Sequence, residues 1–277
     1  MKWLLVGALT LPSLALGFEP LNTDDAGTVG AGRNQIEQYF ISINRNGGGS
    51  QTTDLITPGE EYAGRTDAKA YPFTYTRGLS DNIEASFSST YYNQPSGNYS
   101  KFANYVFGAK WRVYENEKNG YALAIKPTLV LPASKKQQVN GIGLSATNYG
   151  INLIASKYWQ ELEIHLNASY MRSPYNTNYS IGQTDEANRT NIFLVSFAPV
   201  VKVYRNLKLA LDIGTSTNPP TSEQSISYYT LVAGIYSVDE NIDIGLSYMR
   251  TGLIYSATLG SKEASGTRSE IGVTWRF

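Results

Sequence analysis

Thr267-Arg-Ser-Glu-Ile-Gly-Val-Thr-Trp-Arg-Phe277 alternates between polar and apolar side chains up to its terminal phenylalanine. Ile271, Val273 and Trp275 share one parity with that phenylalanine, while glutamate, glycine, threonine and arginine fill the other. A period of two is typical of a β-strand with one apolar and one polar face. The segment therefore predicts a strand whose two faces meet different surroundings.

Eleven further segments alternate in the same way, so the sequence predicts twelve strands. The first, eighth and tenth segments alternate poorly, so their boundaries and the direction of their side chains are poorly defined. In the fourth segment, the residues of the apolar face include Ala103. An even number of antiparallel strands fits a closed barrel with both termini on one side. We expect an all-β, transmembrane, antiparallel up-and-down barrel with strands at about 35–44, 66–77, 82–92, 101–114, 121–131, 145–159, 161–171, 189–204, 207–215, 225–237, 241–251 and 267–277.

Short and long connections alternate along the chain. The breaks after the even-numbered strands are short, at 78–81, 115–120, 160, 205–206 and 238–240. Those after the odd-numbered strands are mostly longer and rich in glycine, serine and asparagine, as at 45–65, 132–144, 172–188 and 252–266. Short turns on one side and long loops on the other are typical of outer-membrane barrels.

The composition of the two faces separates a membrane barrel from a soluble β-sandwich, which also alternates. A sandwich carries lysine and glutamate freely on its solvent face, but charged residues make up only 17% of this chain, below the roughly 25% of an average soluble domain. The polar parity is largely serine, threonine, asparagine and glycine. The apolar parity carries rings near strand ends, like the aromatic girdles of membrane barrels, at Tyr91, Trp111, Tyr121, Tyr149, Tyr170, Tyr248 and Trp275.

The C-terminal strand resembles the last strand of bacterial outer-membrane proteins, whose terminal aromatic residue is read by the barrel-insertion machinery. Trp275 and Phe277 carry this resemblance. It implies the insertion machinery as a partner, with outer-membrane lipid and lipopolysaccharide around the barrel.

The first residues have the features of a secretory signal peptide. Lys2 gives a positive start, an apolar run extends from Trp3 to Leu16, and small residues precede Phe18. No later stretch approaches the roughly 18 apolar residues that a membrane-spanning helix needs. We expect a signal peptide at 1–17, a periplasmic segment at 18–34 and an outer-membrane barrel at 35–277.

The composition argues against several kinds of chemistry. The chain has no cysteine, which removes thiol catalysis, thiolate-bound metals and disulfides. It has one histidine, and its 23 Lys and Arg balance its 23 Asp and Glu, which disfavours a histidine-based metal cage and a basic nucleic-acid surface. We expect no metal, no cofactor and no nucleic-acid partner.

The polar parity places charged residues inside the barrel, and two readings of them stay open. They form a structural ion-pair network that fills the interior, or some of them line a path and set its selectivity. Twelve strands lie between small filled barrels and porins of 16–18 strands, so we expect a narrow lumen. The residues expected to line it are Glu84, Lys110, Arg112, Lys126, Glu163, His165, Lys208, Asp212, Asp243, Glu270 and Arg276.

Residues 18–34 break the alternation but carry a distinctive pattern. Asp24 and Asp25 are followed by Gly27, Gly30 and Gly32, which suggests an acidic stretch with specific turns. In one reading the segment folds into the periplasmic mouth as a gate or plug. Its aspartates then meet basic residues of the lumen, at Lys110, Lys126 or Arg112. In the other reading it is an extended periplasmic arm or a recognition segment for membrane insertion.

His165 invites a catalytic reading. Asn167 and Ser169 share its face and Ser156 falls on the neighbouring segment, as in outer-membrane hydrolases with a Ser–His–Asn arrangement. A nucleophile needs a base within hydrogen-bond reach and a residue that orients the base. Because serines are abundant here, we favour a hydrogen-bonding histidine in the lumen, and no catalytic residue is predicted.

Residues 18–40 resemble the start of a known family. A Pro-Leu-x-Thr-Asp-Asp-Ala-Gly-Thr segment, a Gly-x-Gly and a Gln-x-Glu that opens the first strand are similar to the meta-pathway phenol-degradation family of outer-membrane proteins. The resemblance implies passage of small, often aromatic, compounds beside catabolic pathways, and it implies no enzyme activity. The matching residues are Pro20, Leu21, Thr23, Asp24, Asp25, Ala26, Gly27, Thr28, Gly30, Gly32, Gln35 and Glu37.

Together these features predict a Gram-negative outer-membrane channel for passive uptake of small solutes, including hydrophobic or aromatic ones. The alternative is a structural or surface-binding barrel with a filled lumen. A hydrolase is a weaker alternative, because the chain has one histidine and no convergent acid–base cluster.

Overall fold

The computed structural model describes residues 20–46, 67–93, 97–139, 143, 145–172, 191–217, 226–255 and 265–277. A short helix, α1 (Lys135–Val139), lies in the connection after the fifth strand. No helix among these residues is long and apolar enough to cross a membrane. The strands are β1 (Asn34–Asn46), β2 (Asp67–Ser80), β3 (Ile83–Tyr92), β4 (Phe102–Asn116), β5 (Tyr121–Val130), β6 (Asn148–Tyr158), β7 (Leu162–Arg172), β8 (Asn191–Tyr204), β9 (Leu207–Thr217), β10 (Ile226–Ser237), β11 (Ile242–Tyr255) and β12 (Ser265–Arg276).

These strands form one closed barrel in sequence order, and β1 pairs with β12 to close it. At the closing seam, Asn34 N donates to Phe277 O at 2.8 Å and Phe277 N donates to Asn34 O at 3.0 Å. Closure removes the sheet edges, whose unpaired backbone groups lipid cannot satisfy. The prediction of a twelve-stranded antiparallel barrel is confirmed.

The two ends of the barrel differ in their connections. At the turn end, strands are joined by residues 81–82, 117–120, 159–161, 205–206 and 238–241, and β1 begins and β12 ends there. At the loop end, the connections are residues 47–66, 93–101, 131–147, 173–190, 218–225 and 256–264. The predicted loops 45–65, 172–188 and 252–266 fall largely outside the described residues, and the predicted signal peptide at 1–17 falls wholly outside them.

The outward face of the wall is apolar and exposed. Leu246, Phe193 and Val232 are 59%, 54% and 53% exposed, and Trp111 and Trp275 lie on the same face. Soluble monomers rarely expose apolar patches larger than a few hundred Å². An apolar face around a closed barrel is the surface that a bilayer matches.

One facing prediction is wrong. The alternation predicts an outward Ala103, but this side chain is buried in an apolar cluster on the inner face. Ser88 pairs with Val106 and Thr90 pairs with Ala103, so the register between β3 and β4 shifts by one residue. Such a bulge reverses the facing of the residues beyond it.

Candidate functional site

Residues 20–30, the lumenal segment, lie inside the barrel. Thr23, Asp25, Ala26, Thr28 and Val29 are buried. The segment contacts inward side chains of β3, β4, β5, β6, β7, β9 and β12, so the wall surrounds it on most sides. It begins beside the middle of β9 and leaves the barrel at the turn end, where it leads into β1.

Two glycines permit the path from the lumen into β1. A Cβ on Gly78 would lie 2.1 Å from Gly30 O and 2.3 Å from Val29 O, closer than atoms can approach. Gly32 has a φ of 76°, a conformation that favours glycine, and its N donates to Gly78 O at 3.0 Å. The exit of the lumenal segment therefore depends on glycine at both positions.

Asp212 of β9 holds the start of the lumenal segment. Its Oδ2 accepts hydrogen bonds from Asn22 N at 2.7 Å and from Thr23 N at 2.9 Å. Its Oδ1 accepts from Thr23 Oγ1 at 2.6 Å and from Tyr229 Oη at 2.8 Å. A fully buried carboxylate is tolerated only when donors surround it. Three of these four donors belong to the lumenal segment, so the buried carboxylate of Asp212 has its hydrogen bonds only while the segment is in place.

Asp24 lies between two lysines of the wall. Lys126 Nζ is 2.6 Å from Asp24 Oδ2, and Lys110 Nζ is 3.2 Å from Asp24 Oδ1. Burial disfavours the charged carboxylate, but the two lysines outweigh it and hold the pKa of Asp24 well below its usual range. The ionised Asp24 therefore anchors the lumenal segment to β4 and β5.

The backbone of Asp24 is held by a side-chain amide of β7. Asn167 Oδ1 accepts from Asp24 N at 2.9 Å, and Asn167 Nδ2 donates to Asp24 O at 2.7 Å. Asn152 Nδ2 donates to the same Asn167 Oδ1 at 2.8 Å, and Ser169 Oγ donates to Asn152 Oδ1 at 2.8 Å. Asn167 therefore pairs with the lumenal segment as a neighbouring strand would.

Asp25 is buried within the lumenal segment itself. Its Oδ1 accepts from Gly27 N at 2.5 Å, and its backbone O accepts from Lys110 Nζ at 3.3 Å. Burial raises the pKa of Asp25 to about 6, although the nearby Lys110 and His165 act in the opposite direction. The seated Asp25 therefore holds its proton more tightly than an ordinary aspartate does.

A serine, a histidine and a glutamate come together beside Ala26. Ala26 N donates to Ser156 Oγ at 2.9 Å, and that oxygen is 2.9 Å from His165 Nδ1. His165 Nε2 is 3.6 Å from Glu163 Oε2, and Glu163 Oε1 is 2.6 Å from Lys208 Nζ. Ser156 Oγ therefore accepts a hydrogen bond from the backbone of the lumenal segment, and His165 and Glu163 orient this hydroxyl group.

Glu84 and Arg112 lie where the lumenal segment approaches the turn end. Glu84 Oε2 accepts from Val29 N at 2.6 Å, and its Oε1 is 3.3 Å from Lys110 Nζ. The sequence predicts Arg112 as a possible partner of the aspartates, but in the structure it pairs with Glu115 at 3.2 Å and donates to Asp81 O at 2.8 Å.

The predicted lumen residues all face inward, but they divide into two groups. Some contact the lumenal segment directly, namely Glu84, Lys110, Lys126 and Asp212. Others pair among the wall residues, as in Asp243–Arg276 at 2.7 Å, Glu163–Lys208 at 2.6 Å and Arg268–Glu270 at 3.3 Å. Further contacts, which the sequence does not predict, come from Asn22, Asn152, Tyr229 and Arg268. Arg268 Nη2 donates to Asn22 Oδ1 at 2.7 Å.

Part of the inner wall is apolar, which the sequence analysis also missed. Leu21 of the lumenal segment packs against this inner apolar cluster. β10 contributes three residues to the cluster and β1 contributes two, and both strands alternate poorly in sequence, as does β8, which contributes one. These strands do alternate in facing, but on β8 and β10 many residues on both faces are apolar. The residues of the inner apolar cluster are Ile41, Ile43, Ala70, Tyr92, Ala103, Val200, Ala210, Tyr229, Leu231, Ala233 and Met249.

Comparison with known proteins identifies the fold. No protein-family model matches the chain, and no curated protein matches it in sequence. An outer membrane channel from Pseudomonas putida F1 is similar in structure, with a TM-score of 0.60 at 11% identity, over 91% of this chain and 98% of its own. The NanC porin gives 0.56 at 12% identity, over 86% and 98% of the two chains, and the KdgM porin gives 0.53 at 9%, over 87% and 99%. The chain has the fold of the outer-membrane channel barrels.

Proposed function

We propose that this protein is a bacterial outer-membrane channel for passive uptake of small apolar or aromatic solutes, and that the lumenal segment is its plug. The observation that carries the proposal is the way the segment is held. Backbone N–H groups of Asn22, Thr23, Asp24, Ala26 and Val29 donate to side chains of the wall. Barrels of about eight strands fill their interior with wall side chains alone, whereas this wall of twelve strands encloses the lumenal segment and offers acceptors to its backbone.

The inner apolar cluster supports the solute class. Leu231, Met249 and Ile41 are fully buried in this cluster, and Leu21 of the plug packs against it. Release of the plug therefore exposes apolar surface, which suits solutes that are poorly hydrated. In the inward ion pairs Asp243–Arg276 and Glu163–Lys208 the two charges of each pair cancel, so the pairs favour neither cations nor anions. The resemblance of residues 18–40 to the meta-pathway phenol-degradation family agrees with aromatic solutes.

The apolar outward face and the fold support two kinds of partner, the lipids of the outer membrane and the machinery that inserts barrels into it. Lipid and lipopolysaccharide surround the outward face, with the turn end toward the periplasm. Trp275 and Phe277, whose rings lie 4.5 Å apart, form the signal read by the insertion machinery.

Single-channel conductance in a planar bilayer tests the proposal. The mature chain is compared with a variant that lacks residues 18–30, and phenol is added as a candidate solute. We expect a larger and steadier conductance without the plug, with partial block by phenol. Absence of conductance in both forms, from protein whose heat-modifiable band shows a folded barrel, would support a barrel with a filled lumen instead.

A further inference from the structure

We propose that the seat of Leu21 to Asp24 is also the binding site of an amphipathic organic monocarboxylate that competes with the plug. The carboxylate of this ligand takes the place of the Asp24 carboxylate, and its apolar body takes the place of Leu21. The inference rests on the proposed function in one respect, since the plug must be able to leave its seat.

The two lysines form the anion half of the site. Lys110 is almost fully buried, whereas the side chain of Lys126 is 33% exposed, so the pair can be reached from the lumen. Asp24 is the sole carboxylate within 4 Å of Lys126 Nζ among the described residues, and Lys110 has Glu84 in addition. Once Asp24 leaves, Glu84 is the one carboxylate within 4 Å of these two lysines among the described residues, and Glu37 interacts with both from farther away. The nearest groups then carry a net positive charge, which favours another anion.

Asn167 supplies a further donor beside the lysines. Its Nδ2 donates to Asp24 O at 2.7 Å while the plug is seated. When the plug leaves, this N–H can donate to a carboxylate of the ligand. Two ammonium groups and one amide then surround the anion, a set of charge-assisted donors like those that hold Asp24.

The inner apolar cluster forms the other half of the site. Leu21 packs against it, and three residues of extended chain span at most about 10 Å. A ligand whose apolar body reaches that far from its carboxylate contacts both halves. Asp212 lies near the apolar half and loses three donors when the plug leaves, so a second carboxylate there is repelled. The site therefore selects monocarboxylates over dicarboxylates.

The test measures binding of octanoate, with uncharged octanamide as the matched control, by ligand-detected NMR of the whole barrel in nanodiscs. Asp24→Ala removes the competing carboxylate, so octanoate affinity rises by about tenfold or more, the effect of one charge-assisted hydrogen bond. Adding Lys126→Met to this variant reverses the gain. Adding Lys202→Met, at an exposed position of β8, leaves the gain intact. Octanamide binding stays the same throughout.

Equal binding of octanoate and octanamide by the Asp24→Ala variant overturns the proposal, and this comparison needs no lysine variant to fold. A gain that survives Lys126→Met in folded protein overturns it as well. Binding is measured without transport, so the two proposals fail separately. Octanoate selectivity in a barrel that never conducts refutes the channel alone, and conductance without that selectivity refutes the site alone.

Discussion

Single side chains of the wall hold the lumenal segment, and among the described residues Asp212 accepts from more donors of the segment than any other side chain does. Asp212→Asn keeps the shape of the side chain but turns an N–H₂ toward N–H groups of Asn22 and Thr23. Hydrogen bonds to a charged group contribute about 1.5–3 kcal/mol each, so we expect the seated state to weaken by about tenfold or more. The open fraction in single-channel recordings measures this. Asp239→Asn, in the turn after β10, is the matched control, and equal effects of the two variants would contradict the role of Asp212.

Asp25 makes the seating of the plug depend on pH. Its pKa is about 6 when seated and near 3.9 in a released, hydrated segment. The seated state holds the proton more tightly, so this contribution to seating is complete below about pH 4 and is lost as the pH rises to 6. We therefore expect a larger open fraction at pH 7 than at pH 5.

Asp25→Asn tests this pH dependence. The groups that face Asp25 are Lys110, His165 and Asp24, and the lowered pKa of Asp24 keeps its titration outside this window. The slope between pH 5 and 7 should flatten in the variant. A full slope without Asp25 would contradict the role of this carboxyl group.

At the level of the element, the strands that alternate clearly were predictable and those with two apolar faces were not. The prediction treats polar residues as inward, which holds for β7, where His165 and Asn167 face the lumen. On β10, inward Leu231 and Ala233 alternate with outward Thr230 and Val232. Hydropathy alone cannot tell which face of such a strand is inward, because both faces bury apolar surface, one against lipid and one in the lumen. Poor alternation on β1 and β10, which together contribute five residues to the inner apolar cluster, is itself a signal of that cluster.

The facing of β3 gives a prediction about its membrane contact. Phe87 lies on the outward face, with its ring 6.0 Å from that of Tyr105 and 5.3 Å from that of Phe107. An arginine at this position costs about 2–4 kcal/mol if it lies at the bilayer midplane. Refolding into lipid vesicles should therefore suffer for Phe87→Arg and much less for the neighbouring Ser88→Arg. Equal losses would show that the facing of β3 is wrong.

At the scale of the whole molecule, the barrel was predictable and the seating of the plug only in outline. The barrel follows from local alternation and connection length. The seat joins residues far apart in the chain, such as Asn22 with Asp212 and Asp24 with Asn167. The acidic pair and the basic residues of the lumen suggested the Asp24 contacts with Lys110 and Lys126. Nothing in the alternation indicated that Asp212, Asn167, Ser156 and Glu84 would accept backbone N–H groups.

The central claim is that the lumenal segment closes a channel, and a disulfide can hold the segment in its seat. The chain has no cysteine, so Ala26→Cys with Ser156→Cys introduces the only thiols. Ala26 N is 2.9 Å from Ser156 Oγ, a separation compatible with the Cα spacing that a disulfide requires. The Ser156→Cys variant controls for the loss of the Ser156 acceptor, and the Ala26→Cys variant controls for the new side chain on the lumenal segment.

The measurement is single-channel conductance of the double-cysteine barrel before and after addition of a reductant to the same bilayer. We predict low conductance while the disulfide is closed and a reversible rise on reduction, with no response from either single-cysteine variant. Conductance that is the same in the oxidised and reduced states, with the disulfide verified by mass, would contradict the account, because the segment would then have no control over passage through the lumen.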